Sequence, residues 1–98
     1  MNLSFEFAAE LWEWEGKAAW FFVTLPADLG AEVRELPRMR RGFGSVRVRA
    51  TVGNSTWLTS IFPEGNSKSY VLPVKKAIRV AEHIEVHELV TISLELLE

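Results

Sequence analysis

Val46, Val48, Ala50 and Val52 alternate with Arg47, Arg49 and Thr51, the pair Gly53-Asn54 follows, and a second strand-like run extends from about Thr56 to Phe62. Alternation with period two gives a strand one apolar and one polar face, and a Gly-Asn pair suits the tight turn between antiparallel strands. This stretch constrains the fold more than any other: it must form a hairpin with an unambiguous inner face and an outer face carrying two arginines.

The flanking segments read as more strands and two short helices. Leu3, Phe5 and Phe7 alternate with Asn2, Ser4 and Glu6, so a strand begins at once and continues through Leu11-Trp12-Glu13-Trp14, with a bulge or bend expected near Ala8-Ala9. Gly16-Lys17 turns the chain into Ala18 to Leu25, a run apolar on both faces, as in a strand covered on one side by a core and on the other by a helix or a neighbouring chain. Pro26 suits a helix start, and Leu29, Val33 and Leu36 space a helix over about 27–36. Gly30 within it forfeits about 1 kcal/mol of helix propensity. After the Pro37 stop, Arg38 to Gly44 reads as a basic loop. Pro63 to Ser67 reads as a loop, and Ser69 to Leu72 as a fifth strand. Pro73 is expected to open a second helix with Val74, Ala77, Ile78 and Ala81 inward, and Val90, Ile92, Leu94 and Leu96 mark the last strand. Six strands and two helices in 98 residues predict a mainly β fold, a small six-stranded closed or partly closed β-barrel forming a single domain over 1–98, because an open sheet would leave edges and an apolar face exposed.

Composition narrows the function classes. With 48% hydrophobic residues and no low-complexity run, the chain has the makings of a packed core. It contains no cysteine, which excludes disulfides, thiolate metal sites and cysteine nucleophiles and makes a reducing cytoplasm the expected location. No basic, apolar leader opens the sequence and no apolar segment approaches the roughly 18 residues of a membrane span, so no membrane association is expected.

The net charge of −2 hides three blocks. Residues 1–35 carry two bases against seven acids, residues 36–79 nine bases against Glu64 alone, and residues 80–98 five glutamates with no Lys or Arg. A middle block of +8 either attracts an anion or neutralises its own acidic flanks of −5 each.

Several runs then carry a family likeness. Leu11-Trp12-Glu13-Trp14, Trp20 to Pro26, Gly42 to Val48, Thr56 to Pro63 and Tyr70 to Arg79, in that order over nearly the whole chain, resemble the bacterial domain-of-unknown-function family numbered nineteen-oh-five. The resemblance implies a six-stranded barrel distantly related to the double-split barrels of AbrB-type transition-state regulators, a domain that also occurs joined to YdeI/OmpD-associated segments. It implies no activity. Where that family usually has Gly-Asp before the last strand, this chain has His87-Glu88.

Four constellations could carry chemistry. The loop Arg38 to Ser45 offers planar arginine donors and two glycines, and with Lys75, Lys76 and Arg79 it would form an anion-attracting face; snorkelling arginines paired with Glu6, Glu10, Glu13, Glu32 or Glu35 are the structural alternative. His83 and His87 have the spacing of metal ligands on a helix, but Ile84, Val86 and Val90 alternate as though the helix had ended, which favours surface histidines. Thr59 and Ser60 lack a positioned base. Trp12, Trp14, Trp20 and Trp57 either line a pocket or pack; core positions are expected for Trp20 and Trp57.

The sequence thus points to a binding or interaction module without catalysis, whose anion-recognising face comprises Arg40, Arg41, Ser45, Lys75, Lys76 and Arg79. An anionic ligand or nucleic acid is the expected partner class, and no metal or other cofactor is expected. The alternatives are a small-molecule pocket at the barrel mouth, catalytic or not, built from Trp12, Trp14, Thr59 and Ser60, or a structural role through oligomerisation.

Overall fold

A computed structural model of the chain describes residues 3–16, 19–36, 44–65 and 69–97. The elements run β1 (Leu3–Glu10), β2 (Trp12–Trp14), β3 (Trp20–Thr24), α1 (Ala27–Glu35), β4 (Val46–Val52), β5 (Ser55–Pro63), β6 (Tyr70–Pro73), α2 (Lys76–Ala81) and β7 (Leu89–Leu96). All pairings are antiparallel, in the order β1-β7-β4-β5-β6-β3-β2. The sheet curls into an open half-barrel of seven strands, not the closed six-stranded barrel that edge burial alone suggests.

The extra strand comes from a break at Leu11. Residues 3–10 pair with β7 in unbroken register, from Leu3↔Leu96 to Glu10↔Leu89, so the expected bulge at Ala8-Ala9 is absent. Alternation instead carries through to Leu11, which is 1% exposed and tied to the segment before β7: its N–H donates to the Glu88 carbonyl and its own carbonyl accepts from the His87 N–H. Past that point the chain changes partner, and Trp12–Trp14 pairs with β3. The two edge strands are therefore neighbours in sequence.

The β4–β5 hairpin follows the sequence pattern closely. Its two-residue turn has Gly53 at φ 57 while Asn54 keeps a negative φ, the arrangement of a type II′ turn. Val46, Val48, Ala50 and Val52 point inward and meet Trp57 and Ile61 across the ladder. Ile92, Leu94 and Leu96 of β7 and Phe7 of β1 extend this apolar interior, which Val23, Leu25, Val33, Tyr70, Leu72, Val74 and Ile78 complete.

The helices depart in detail from the expected stripes. Pro73 ends β6 rather than opening α2, which starts at Lys76. Only Val74 and Ile78 of the predicted inward set are buried, whereas Ala77 and Ala81 are exposed. In α1 the residue that looks weak for a helix is the one that lets it dock. A Cβ on Gly30 would lie 2.4 Å from Ser69 Oγ and 2.9 Å from Ser69 Cα. Ser69 is itself 2% exposed and donates through Oγ to the Leu25 carbonyl at 2.8 Å.

His83 (φ 55) and His87 (φ 76) both occupy left-handed backbone conformations in the turns after α2, and both are exposed. Helical spacing between them is therefore not realised. No described helix is long and apolar enough to cross a membrane.

Candidate functional site

The sheet opens where β6 ends. Val74 N–H donates to the Phe21 carbonyl and Leu25 N–H to the Tyr70 carbonyl, so Tyr70 and Leu72 direct their backbone groups at β3, and Val71 and Pro73 direct theirs at β5. Val71 meets Phe62, but Pro73 has no N–H to offer, and the β5–β6 pairing stops after Phe62↔Val71 and Pro63↔Tyr70. Pro73 and Val74 stay on β3 while no ladder joins them to β5, and Lys76 and Arg79 of α2 line the gap that opens between.

A groove of about 500 Å³ occupies this opening. Its walls are Ala19, Trp20 and Phe21 on the β3 side and Trp57, Leu58 and Thr59 on β5. Pro73, Val74, Lys75, Lys76 and Arg79 complete it from the α2 side. Arg79 is held in place: its guanidinium carbon stacks 3.8 Å above the Phe21 ring centroid and its Nε donates to the Val74 carbonyl at 3.1 Å. A guanidinium stacked on a ring and tied to a backbone carbonyl has given up conformational freedom before any ligand arrives. Lys75 and Lys76 are exposed, and among the described residues neither lysine nor Arg79 forms an ion pair with a carboxylate.

The contrast with the hairpin arginines is instructive. Arg49 Nη1 lies 2.6 Å from Glu95 Oε1 across the β4–β7 ladder, so this cation is neutralised by the acidic C-terminal block. Within the middle block, Arg49 is thus spent on its own sheet, whereas Lys75 and Lys76 are exposed.

The structure redistributes the residues singled out by sequence. Lys75, Lys76 and Arg79 converge, and Thr59 joins them in the same groove. Ser45 does not: it is 8% exposed at the head of β4, beside Val46, which pairs with Ile61 rather than with the groove segment of β5. Arg40 and Arg41 lie outside the described residues. Trp12, Trp14, Thr59 and Ser60 do not make one pocket. Ser60 sits opposite Arg47 and does not line the groove. Trp12 and Trp14 are on the outer face of β2, where Trp12 Nε1 donates to Thr24 Oγ1 at 2.9 Å and the Trp12 ring centroid is 5.1 Å from that of Phe22.

Trp57 is core, at 7% exposed, but Trp20 is not, at 51%. Trp20 stacks against Phe22 with ring centroids 6.1 Å apart and shares with Trp14 and Phe22 a second, wholly aromatic cleft. The outer face of β3 is thus covered by no described helix, and its apolar side chains pack on one another. Sequence reasoning missed Ala19, Trp20, Phe21 and Leu58 as groove residues. The doubly apolar run at 18–25 was the available signal.

A seven-stranded antiparallel half-barrel with a cationic, aromatic-walled groove defines a small mainly β domain with a concave face. Residues 7–94 match the family Domain of unknown function (DUF1905), and the chain belongs to that family. No curated protein matches it closely enough to count as a relative.

Proposed function

We propose that this domain is a non-enzymatic binding module whose groove between β3, β5 and α2 takes an organic anion. The observation that carries the reading is that Lys75, Lys76 and Arg79, free of carboxylate partners among the described residues, share one concavity with Trp20, Phe21 and Trp57. Cations beside aromatic walls suit a ligand with both a charged group and an apolar body, because each part finds a complementary surface without burying an unpaired charge. Of the basic face, Lys75, Lys76 and Arg79 border this groove, and of the alternative pocket only Thr59 does. Arg40 and Arg41 remain in the proposal as a further source of positive charge, and a cysteine-free chain suits the reducing cytoplasm of a bacterium.

The test is a fluorescence-anisotropy titration with a random-sequence DNA duplex and a small polyanion, at low and near-physiological salt. Binding should weaken as salt rises, and Lys75→Ala with Lys76→Ala should lower affinity about tenfold or more and flatten the salt dependence by about one unit per lost contact. Affinity unchanged by the double substitution removes the groove from the account.

A further inference from the structure

The groove is lined by three consecutive residues of β5 and, on the other side, by Trp20 and Phe21 of β3 with Ala19 just before them. Successive side chains of a strand point to opposite faces, so an uninterrupted triplet can border one concavity only where that concavity opens onto the strand's edge. The groove is a slot between two strand edges.

Which backbone groups face it follows from the ladders. Leu97 N–H donates to the Arg47 carbonyl, so the odd residues of β4 address β7, and Val46, Val48, Ala50 and Val52 address β5. Their partners Ile61, Thr59, Trp57 and Ser55 therefore spend their N–H and C=O groups on β4. Thr56 and Leu58 point theirs the other way, toward the slot, while Ser60 faces Pro73 of β6. Among the described residues no ladder partner stands opposite Thr56 or Leu58 on this side. The vacant lane is the one β6 fills further along, bonding β5 at Phe62 and β3 at Val23, until Pro73 ends it.

We propose that the edge of β5 at Thr56 and Leu58 accepts an extended acidic peptide as an added strand, in line with β6 beyond its end. The idea rests on the anion-binding reading of the same groove and names the ligand class. Backbone hydrogen bonds to β5 supply affinity, as in other strand-addition sites. Alternate apolar side chains of the peptide face Phe21 and Trp57, and its carboxylates meet Lys75, Lys76 and Arg79. Charge sets the choice of peptide: the slot's titratable groups are these three cations, so a basic strand is repelled and an acidic one attracted.

The experiment measures anisotropy of a labelled peptide in which Glu alternates with Val. It is compared with the same peptide N-methylated at the amides that face β5, with a single-stranded DNA of equal charge, and with the polyanion. Strand addition predicts that methylation costs at least about tenfold in affinity, that the DNA binds more weakly than the intact peptide, and that the Thr56 and Leu58 amides exchange rapidly in the free protein and become protected by the peptide. Equal binding of the two peptides, tighter binding of DNA, or amides already protected in the free protein would overturn strand addition while leaving the anion-binding reading in place. No binding by either peptide, the DNA or the polyanion would overturn both.

Discussion

Gly30→Ala separates helix propensity from tertiary packing in one substitution. Considered alone, α1 should gain about 1 kcal/mol, because alanine is the better helix former. The structure reverses the sign. The new Cβ would sit 2.4 Å from Ser69 Oγ and 2.9 Å from Ser69 Cα, and the second of these is backbone that no side-chain rotation can move. Either α1 shifts away from β6, opening space beside Val33 and Leu25, or Ser69 is displaced from its 2.8 Å bond to the Leu25 carbonyl. Overpacking typically costs about 1–3 kcal/mol and an orphaned buried hydroxyl about 1–3 kcal/mol. The two are alternative relaxations rather than a sum, so the net expectation after the propensity gain is about 0–2 kcal/mol of destabilisation. Urea denaturation gives the value directly, and Tm should fall by up to about 16 °C for a domain of this size. Gly65→Ala is the control, since nothing lies within 4 Å of its added Cβ, and it should leave the midpoint nearly unchanged. A Gly30→Ala protein more stable than the parent would refute the close approach of α1 to Ser69.

Three further outcomes are expected. His87, at φ 76, holds a conformation that costs a non-glycine residue about 1–2 kcal/mol, so His87→Gly should match or exceed the parent in urea midpoint while His87→Val should fall clearly below it. Trp12→Phe deletes the Nε1 donor to Thr24 Oγ1 but keeps a ring against Phe22, and should cost about 1 kcal/mol in the same assay. Glu95→Gln should cost less than about 1 kcal/mol, with the loss shrinking at high salt, because the Arg49–Glu95 pair is partly solvent-exposed.

The hairpin and β7 were legible because their pattern is local: alternation plus a Gly-Asn turn specifies both strands within a few residues. The break at Leu11 was not, since it depends on His87 and Glu88, more than seventy residues away, which take the Leu11 backbone groups and free the chain to change partner. Parity read correctly that Trp12 and Trp14 share the side of Glu6; the bulge invoked to bring the two halves into agreement was unnecessary because these tryptophans stay on the outer face. Trp20 departs from the expected core position for a different reason: a run apolar on both sides does not say which side faces the chain's own core, and Trp20 falls on the outer one. Of the candidate site, Lys75, Lys76 and Arg79 were legible as a cationic cluster, but their meeting with Thr59 and Trp57 required knowing that β6 stops at Pro73.

A two-dimensional amide NMR titration of the isotope-labelled protein with the Glu-Val peptide, and separately with the polyanion, reports on the groove residue by residue. Shifts are expected at Ala19–Phe21, Trp57–Thr59 and Lys75–Arg79, with Arg47 and Ser93 unmoved. Shifts centred instead on the outer face of β4 and β7, or none with either anion at low salt, would contradict this expectation.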